Sequence, residues 1–157
     1  MKSATLKQIK DELKQKSDSN LIELCLKLSK FKKENKELLT YLLFEEDDEM
    51  EFIRGVKEEI DEEFNNINRA TLYYIKKGIR KILRSVKKYV RYSKKKQTEV
   101  ELLIHFCTCM REMSPSMTRS TVLVGLFERQ LLLIEKSLST LHEDLQYDYK
   151  REISELR

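Results

Sequence analysis

From Arg69 to Lys96, Leu72, Ile75, Ile79, Ile82, Leu83, Val86 and Val90 recur every three or four residues. That spacing lines one face of a helix. The opposite arc holds Lys76, Lys77, Arg80, Lys81, Arg84, Lys87, Lys88 and Arg91. The pattern therefore predicts one helix over 69–96, apolar on one side and cationic on the other. Before it, Phe52, Ile53, Val56, Ile60, Phe64 and Ile67 predict a helix whose outer face is acidic.

The remaining apolar positions divide the chain in the same way. Leu6, Ile9 and Leu13 mark a first helix over about Ala4–Lys16, capped by Ser3, before a break at 17–20. Leu21, Leu24, Leu28, Phe31, Leu38 and Leu42 keep a heptad register over about Leu21–Phe44, with Asn35 at one core position. Asn35 reads as the edge of a helix contact. Thr98-Glu99-Val100-Glu101 reads as a capping box that opens a helix carrying Leu102, Leu103, Phe106, Cys107, Met110 and Met113. Ser114-Pro115-Ser116 marks a turn, because proline cannot continue a helix. Residues from about Thr118 to Leu156 are helical in pattern throughout, a length at which a kink or break is expected. The expected core is Leu24, Leu28, Phe31, Leu38, Leu42, Phe52, Val56, Ile60, Ile79, Leu83, Val86, Leu103, Phe106, Met110, Phe127, Leu131, Ile134 and Leu138.

Composition narrows the class. Ala, Glu, Lys, Leu and Arg supply 76 of 157 residues, and three Gly and one Pro are too few for the turns of a β-protein. The expectation is a single all-α domain over 1–157, with five or six largely antiparallel helices in a bundle or short αα-hairpin stack. Breaks are expected near 17–20, 45–48, 65–68, 94–97 and 114–117. The N-terminus lacks the apolar core of a signal peptide and no apolar run approaches a membrane span, so a reducing cytoplasm is the expected compartment.

Charge changes the picture further. The net charge of +4 hides eleven acidic residues over Glu45–Glu63 and twelve cations over Arg69–Lys96. The candidate binding face is Lys77, Arg80, Lys81, Arg84, Lys87, Lys88 and Arg91. Three readings compete for it. The acidic helix beside it in sequence neutralises it; or phosphates of a nucleic acid meet it, with tyrosines stacking on bases; or it faces an anionic membrane surface or an acidic protein. No helix-turn-helix or other nucleic-acid reading module surrounds it.

Candidate chemistry is sparse. His105-Phe106-Cys107-Thr108-Cys109 is the one cluster of metal-ligand types. On a helix His105 and Cys109 share a face while Cys107 points toward the core, and a structural zinc needs four converging ligands. Cys25 and Cys107 therefore read as small core residues and His105 as a half-exposed polar one. No phosphate loop, nucleophile elbow or isolated acid/base pair is present in the pattern, so no catalytic, cofactor-binding or metal residue is nominated.

The segments LIELCLKLSKFKKENKELLTYLL, IRKILRSVKKYVRYSKKKQTEVELLIHFC and LFERQLLLIEKSLSTLHEDLQYDYKREI resemble, in helix order and charge pattern, a bacterial helical domain family of unknown function. The resemblance implies an all-α fold and a bacterial cytoplasmic setting, and brings no activity or site residues. The functional expectation is a non-enzymatic interaction or scaffold protein that binds another protein or its own copy. Nucleic-acid binding through the basic helix 69–96 is the alternative.

Overall fold

A computed structural model describes residues 1–157 and contains eight α-helices and no strand. The helices are α1 (Leu6–Leu13), α2 (Asp18–Phe31), α3 (Lys33–Thr40), α4 (Glu49–Asn65), α5 (Leu72–Ser93), α6 (Lys96–Glu112), α7 (Thr121–Leu138) and α8 (Glu143–Leu156). A π-helical turn covers Tyr41–Glu45 and a 3-10 turn Met117–Arg119. The all-α class is as expected, but five or six helices is too few, because two expected long helices are each divided. No helix is long and apolar enough to cross a membrane. The chain groups into two compact units, Met1–Phe44 and Glu45–Arg157.

In the first unit, the helix expected over 21–44 divides at Lys32, whose backbone is extended (φ −143°, ψ 146°). Neither Gly nor Pro marks that residue, and the heptad register runs straight through it. Asn35 spans the interruption, its Nδ2 donating to the Leu28 carbonyl at 2.8 Å. It satisfies an end-of-helix acceptor rather than sitting at a helix contact. The first helix also starts later than expected. Thr5, not Ser3, is its cap, in a reciprocal box with Gln8.

Within this unit α2 packs on α3. Yet α1, α2 and α3 contain no buried residue. The core positions expected here are therefore corrected: Leu24, Leu28, Phe31 and Leu42 are exposed and Leu38 is half-buried. Cys25 is exposed too, not a core residue. The register was real as a helical stripe, but α1 and α3 have eight residues each and too little surface to cover it.

The second unit is built around α6, which contacts α4, α5, α7 and α8. Its sequence explains that position. Val100, Leu102, Leu103, Ile104, Phe106, Cys107 and Met110 are all buried, and they point in several directions around the helix. A helix apolar around most of its circumference must be covered on several sides. All thirteen core positions expected in this unit, from Phe52 to Leu138, are buried. Phe106 meets Phe64 of α4 with ring centroids 5.6 Å apart.

Two boundaries in this unit differ from expectation. Helix α6 begins at Lys96, so Thr98 lies inside it, and no capping box forms. The Thr98 hydroxyl instead donates to Glu49, which also accepts from Ser93 and from Lys95 Nζ at 2.8 Å. One carboxylate at the start of α4 thus holds the α5–α6 junction. The long terminal helix does break, at 139–142. There the Ser139 and Thr140 hydroxyls donate to the Lys136 and Ser137 carbonyls, each at 2.7 Å, and His142 caps α8. Local side-chain bonds compete with the helix ladder at such residues.

Candidate functional site

The basic tract does not act as one face. Arg69 lies before α5 and serves the backbone: it donates to the Phe64 carbonyl at 3.0 Å, Asn65 at 3.2 Å and Ser114 at 2.8 Å. It thereby closes the C-terminal end of α4 against the 113–120 connection. At the other end Lys95 binds Glu49 and Lys96 binds Glu99 at 2.7 Å. The helix expected over 69–96 is therefore shorter, and its terminal cations hold the fold.

The seven candidate residues all lie on α5. Ile75, Ile79, Ile82, Leu83 and Val86 bury the opposite side, which turns these cations outward. Six of the seven are exposed and Lys88 is half-buried, its ammonium 4.7 Å from the centre of the Tyr89 ring. The acidic helix reaches this face at Lys81, whose Nζ lies 3.4 Å from Glu63. Elsewhere α4 spends its acids differently: Glu59 accepts from the Tyr89 hydroxyl at 2.8 Å, and Glu51 and Glu58 both hold Arg54 of their own helix. Lys77, Arg80, Arg84 and Arg91 form no ion pair. Within the face α4 thus pairs with Lys81 and leaves those four outside any ion pair.

A second polar feature runs between α4 and α6. On α6, Gln97, Glu101, His105 and Cys109 are spaced by four and interrupt the apolar surface along one line. On α4, Lys57 and Asp61 have the same spacing and face them. Lys57 Nζ is 3.0 Å from Glu101. Glu101 also accepts from the Tyr149 hydroxyl of α8 at 2.8 Å and from Gln97 at 3.3 Å. Burial works to raise the Glu101 pKa, but the Lys57, Tyr149 and Gln97 donors outweigh it and leave the carboxyl below its ordinary value. Tyr149 is shifted upward by its burial and by the same carboxylate.

One turn further along, His105 Nε2 lies 2.7 Å from Asp61 Oδ1. The Cys109 thiol donates to that same oxygen at 3.3 Å. One ligand atom from each of the three residues lies within 4.8 Å of the other two. Burial, with the hydrogen bond and charge of Asp61, pushes the Cys109 thiol up to about 12. Cys107 is fully buried on the core side, as its spacing predicts. The sequence reading found His105 and Cys109 on one face but missed Asp61, which lies 44 residues from His105. Only the α4–α6 packing register brings it there, and no local signal in the sequence reports that register.

No family model, curated protein or solved structure matches the chain.

Proposed function

We propose that this is a non-enzymatic interaction protein whose 1–44 unit binds an acidic amphipathic helix of a protein partner. The observation that carries the reading is the apolar surface this unit leaves uncovered: Leu26 is 50%, Leu43 63% and Phe44 77% exposed. Exposed side chains of that size, gathered on short helices, mark association surfaces rather than ordinary solvated ones. Leu26, Leu39, Leu43 and Phe44 line a groove, and Lys30, Lys32, Lys33 and Lys36 rim it. An apolar floor with a cationic rim suits a helix that pairs Leu or Phe anchors with Asp and Glu flanks.

The test is sedimentation of the chain alone and with a labelled acidic amphipathic helical peptide. Co-sedimentation is expected, lost in Phe44→Asp and absent for a peptide of the same apolar pattern with Lys flanks. Self-association without peptide binding would make a second copy the occupant. A monomer that binds neither would overturn the reading.

A second reading is favoured by a separate observation, the four unpaired cations Lys77, Arg80, Arg84 and Arg91 on α5. They suit the phosphates of a nucleic acid, with the 64%-exposed Tyr73 placed to stack at one end.

A further inference from the structure

We propose that Asp61, His105 and Cys109 bind a zinc ion through three protein ligands, leaving the fourth position to water. This goes beyond the interaction reading and does not depend on it. The first support is convergence. His105 and Cys109 are one turn apart on α6, and Asp61 reaches both from α4, at 2.7 Å and 3.3 Å. Tetrahedral zinc with bonds of about 2.0–2.3 Å places its ligand atoms about 3.3–3.6 Å apart. The three atoms already lie within 4.8 Å of one another, close to that spacing.

The second support is the ligand set. A thiolate and an imidazole select against magnesium and calcium, which prefer all-oxygen sites, and a mixed sulfur, nitrogen and oxygen set suits zinc. The third is access: the Asp61 side chain is 52% exposed, so an ion can enter from solvent, while the half-buried His105 and Cys109 are held by α6. The site also lies directly beside the Lys57–Glu101 pair, which fixes the register of α4 against α6. That places its ligands on rigid elements rather than on loops.

Binding balances simply. Zinc replaces two hydrogen bonds to Asp61; the Cys109 thiol releases its proton to solvent as the sulfur–zinc bond forms, and the proton that His105 Nε2 donates to Asp61 is lost to solvent while Nδ1 carries one, so that neutral His105 binds through Nε2. No oxidant or reductant is involved. The ion would join α4 to α6, and because it binds the folded arrangement it would raise the melting temperature.

Cobalt(II) titration of the metal-free full chain tests this, since cobalt reports a thiolate ligand through a near-ultraviolet charge-transfer band and tetrahedral geometry through visible bands. The expected result is saturation at one equivalent, with displacement by zinc. Cys109→Ser should abolish the charge-transfer band. Asp61→Asn and His105→Gln should each weaken binding by at least about tenfold, since even outer-shell changes cost that much. Cys25→Ser should change nothing. Circular dichroism of each metal-free variant checks folding, and if one variant does not fold the others decide. No band at micromolar protein, a band that survives Cys109→Ser, or one lost in Cys25→Ser would each overturn the site.

Discussion

Single residues in the 45–157 unit carry more than their share of its organisation. Glu49, Glu101 and Arg69 each bond partners in more than one segment. The consequence for acid stability follows from Glu101. Its folded pKa lies below the ordinary value of 4.5, because the donors around it outweigh its burial. A depressed carboxylate contributes stability that is present above the unfolded value and is lost as pH falls through the lower folded one. Glu99 is shifted the same way: burial opposes ionisation, but Lys96 and Ser137 outweigh it. The melting temperature should therefore fall as pH drops below about 4.5, near the ordinary carboxyl value. In Glu101→Gln that acid loss should be shallower. Parallel curves for the two proteins would show that Glu101 does not carry it. The pairings of Glu49 with Lys95 and of Glu101 with Lys57 and Tyr149 were not legible in the sequence, because each joins residues more than forty positions apart. What the sequence did show was the spacing of Gln97, Glu101, His105 and Cys109, which could have been read as a polar line along an apolar helix.

At the scale of elements, α5 shows what periodicity can and cannot reveal. Its buried stripe emerged from Ile75 to Val86 at the expected helical spacing, while Leu72 in the first turn is exposed and Val90 near the end is half-buried. Its ends did not emerge, because Arg69, Lys95 and Lys96 make the same charge pattern as the face but are engaged in tertiary bonds. The division at Lys32 was missed for a related reason, since it leaves the helix without a Gly or Pro to mark it, whereas the break at 139–142 was expected from the length of the segment alone. The free part of the basic face gives a sharp test of the nucleic-acid reading. Lys77, Arg84 and Arg91 are seven residues apart in series, share one stripe and pair with no carboxylate, so reversing all three to Glu should leave melting nearly unchanged. If the face meets duplex DNA, the log–log salt slope of affinity should become shallower by about 0.9 for each cation that contacted a phosphate. Titrating a labelled mixed-sequence oligonucleotide with both proteins at several salt concentrations reads this directly. No salt-dependent binding by the unaltered chain at micromolar protein would retire the nucleic-acid reading.

Over the whole molecule, apolar patterning read the two compact units alike, yet they bury their residues very differently. In 45–157 the stripes of four helices close around α6, and every expected core position is covered. In 1–44 stripes of the same quality stay exposed, because helix propensity and register are local while burial depends on how much surface the neighbours offer. A periodic stripe thus identifies a face that wants covering and is silent about whether the chain itself covers it. The difference predicts unequal autonomy. Residues 45–157 contain a closed core of their own, so that fragment should be helical and melt in a single cooperative transition. Residues 1–44 supply helices of 8, 14 and 8 residues with no buried side chain within them. Isolated helices below about 12–15 residues are marginal in water, and chains near this size seldom sustain a core unaided. The peptide 1–44 alone should therefore show weak, non-cooperative helicity by circular dichroism, rising when the acidic amphipathic peptide is added, since binding supplies the missing cover. A strongly helical, cooperatively melting 1–44 peptide would mean that its helices stabilise one another without a partner, and a 45–157 fragment lacking a cooperative melt would mean that its core is not closed.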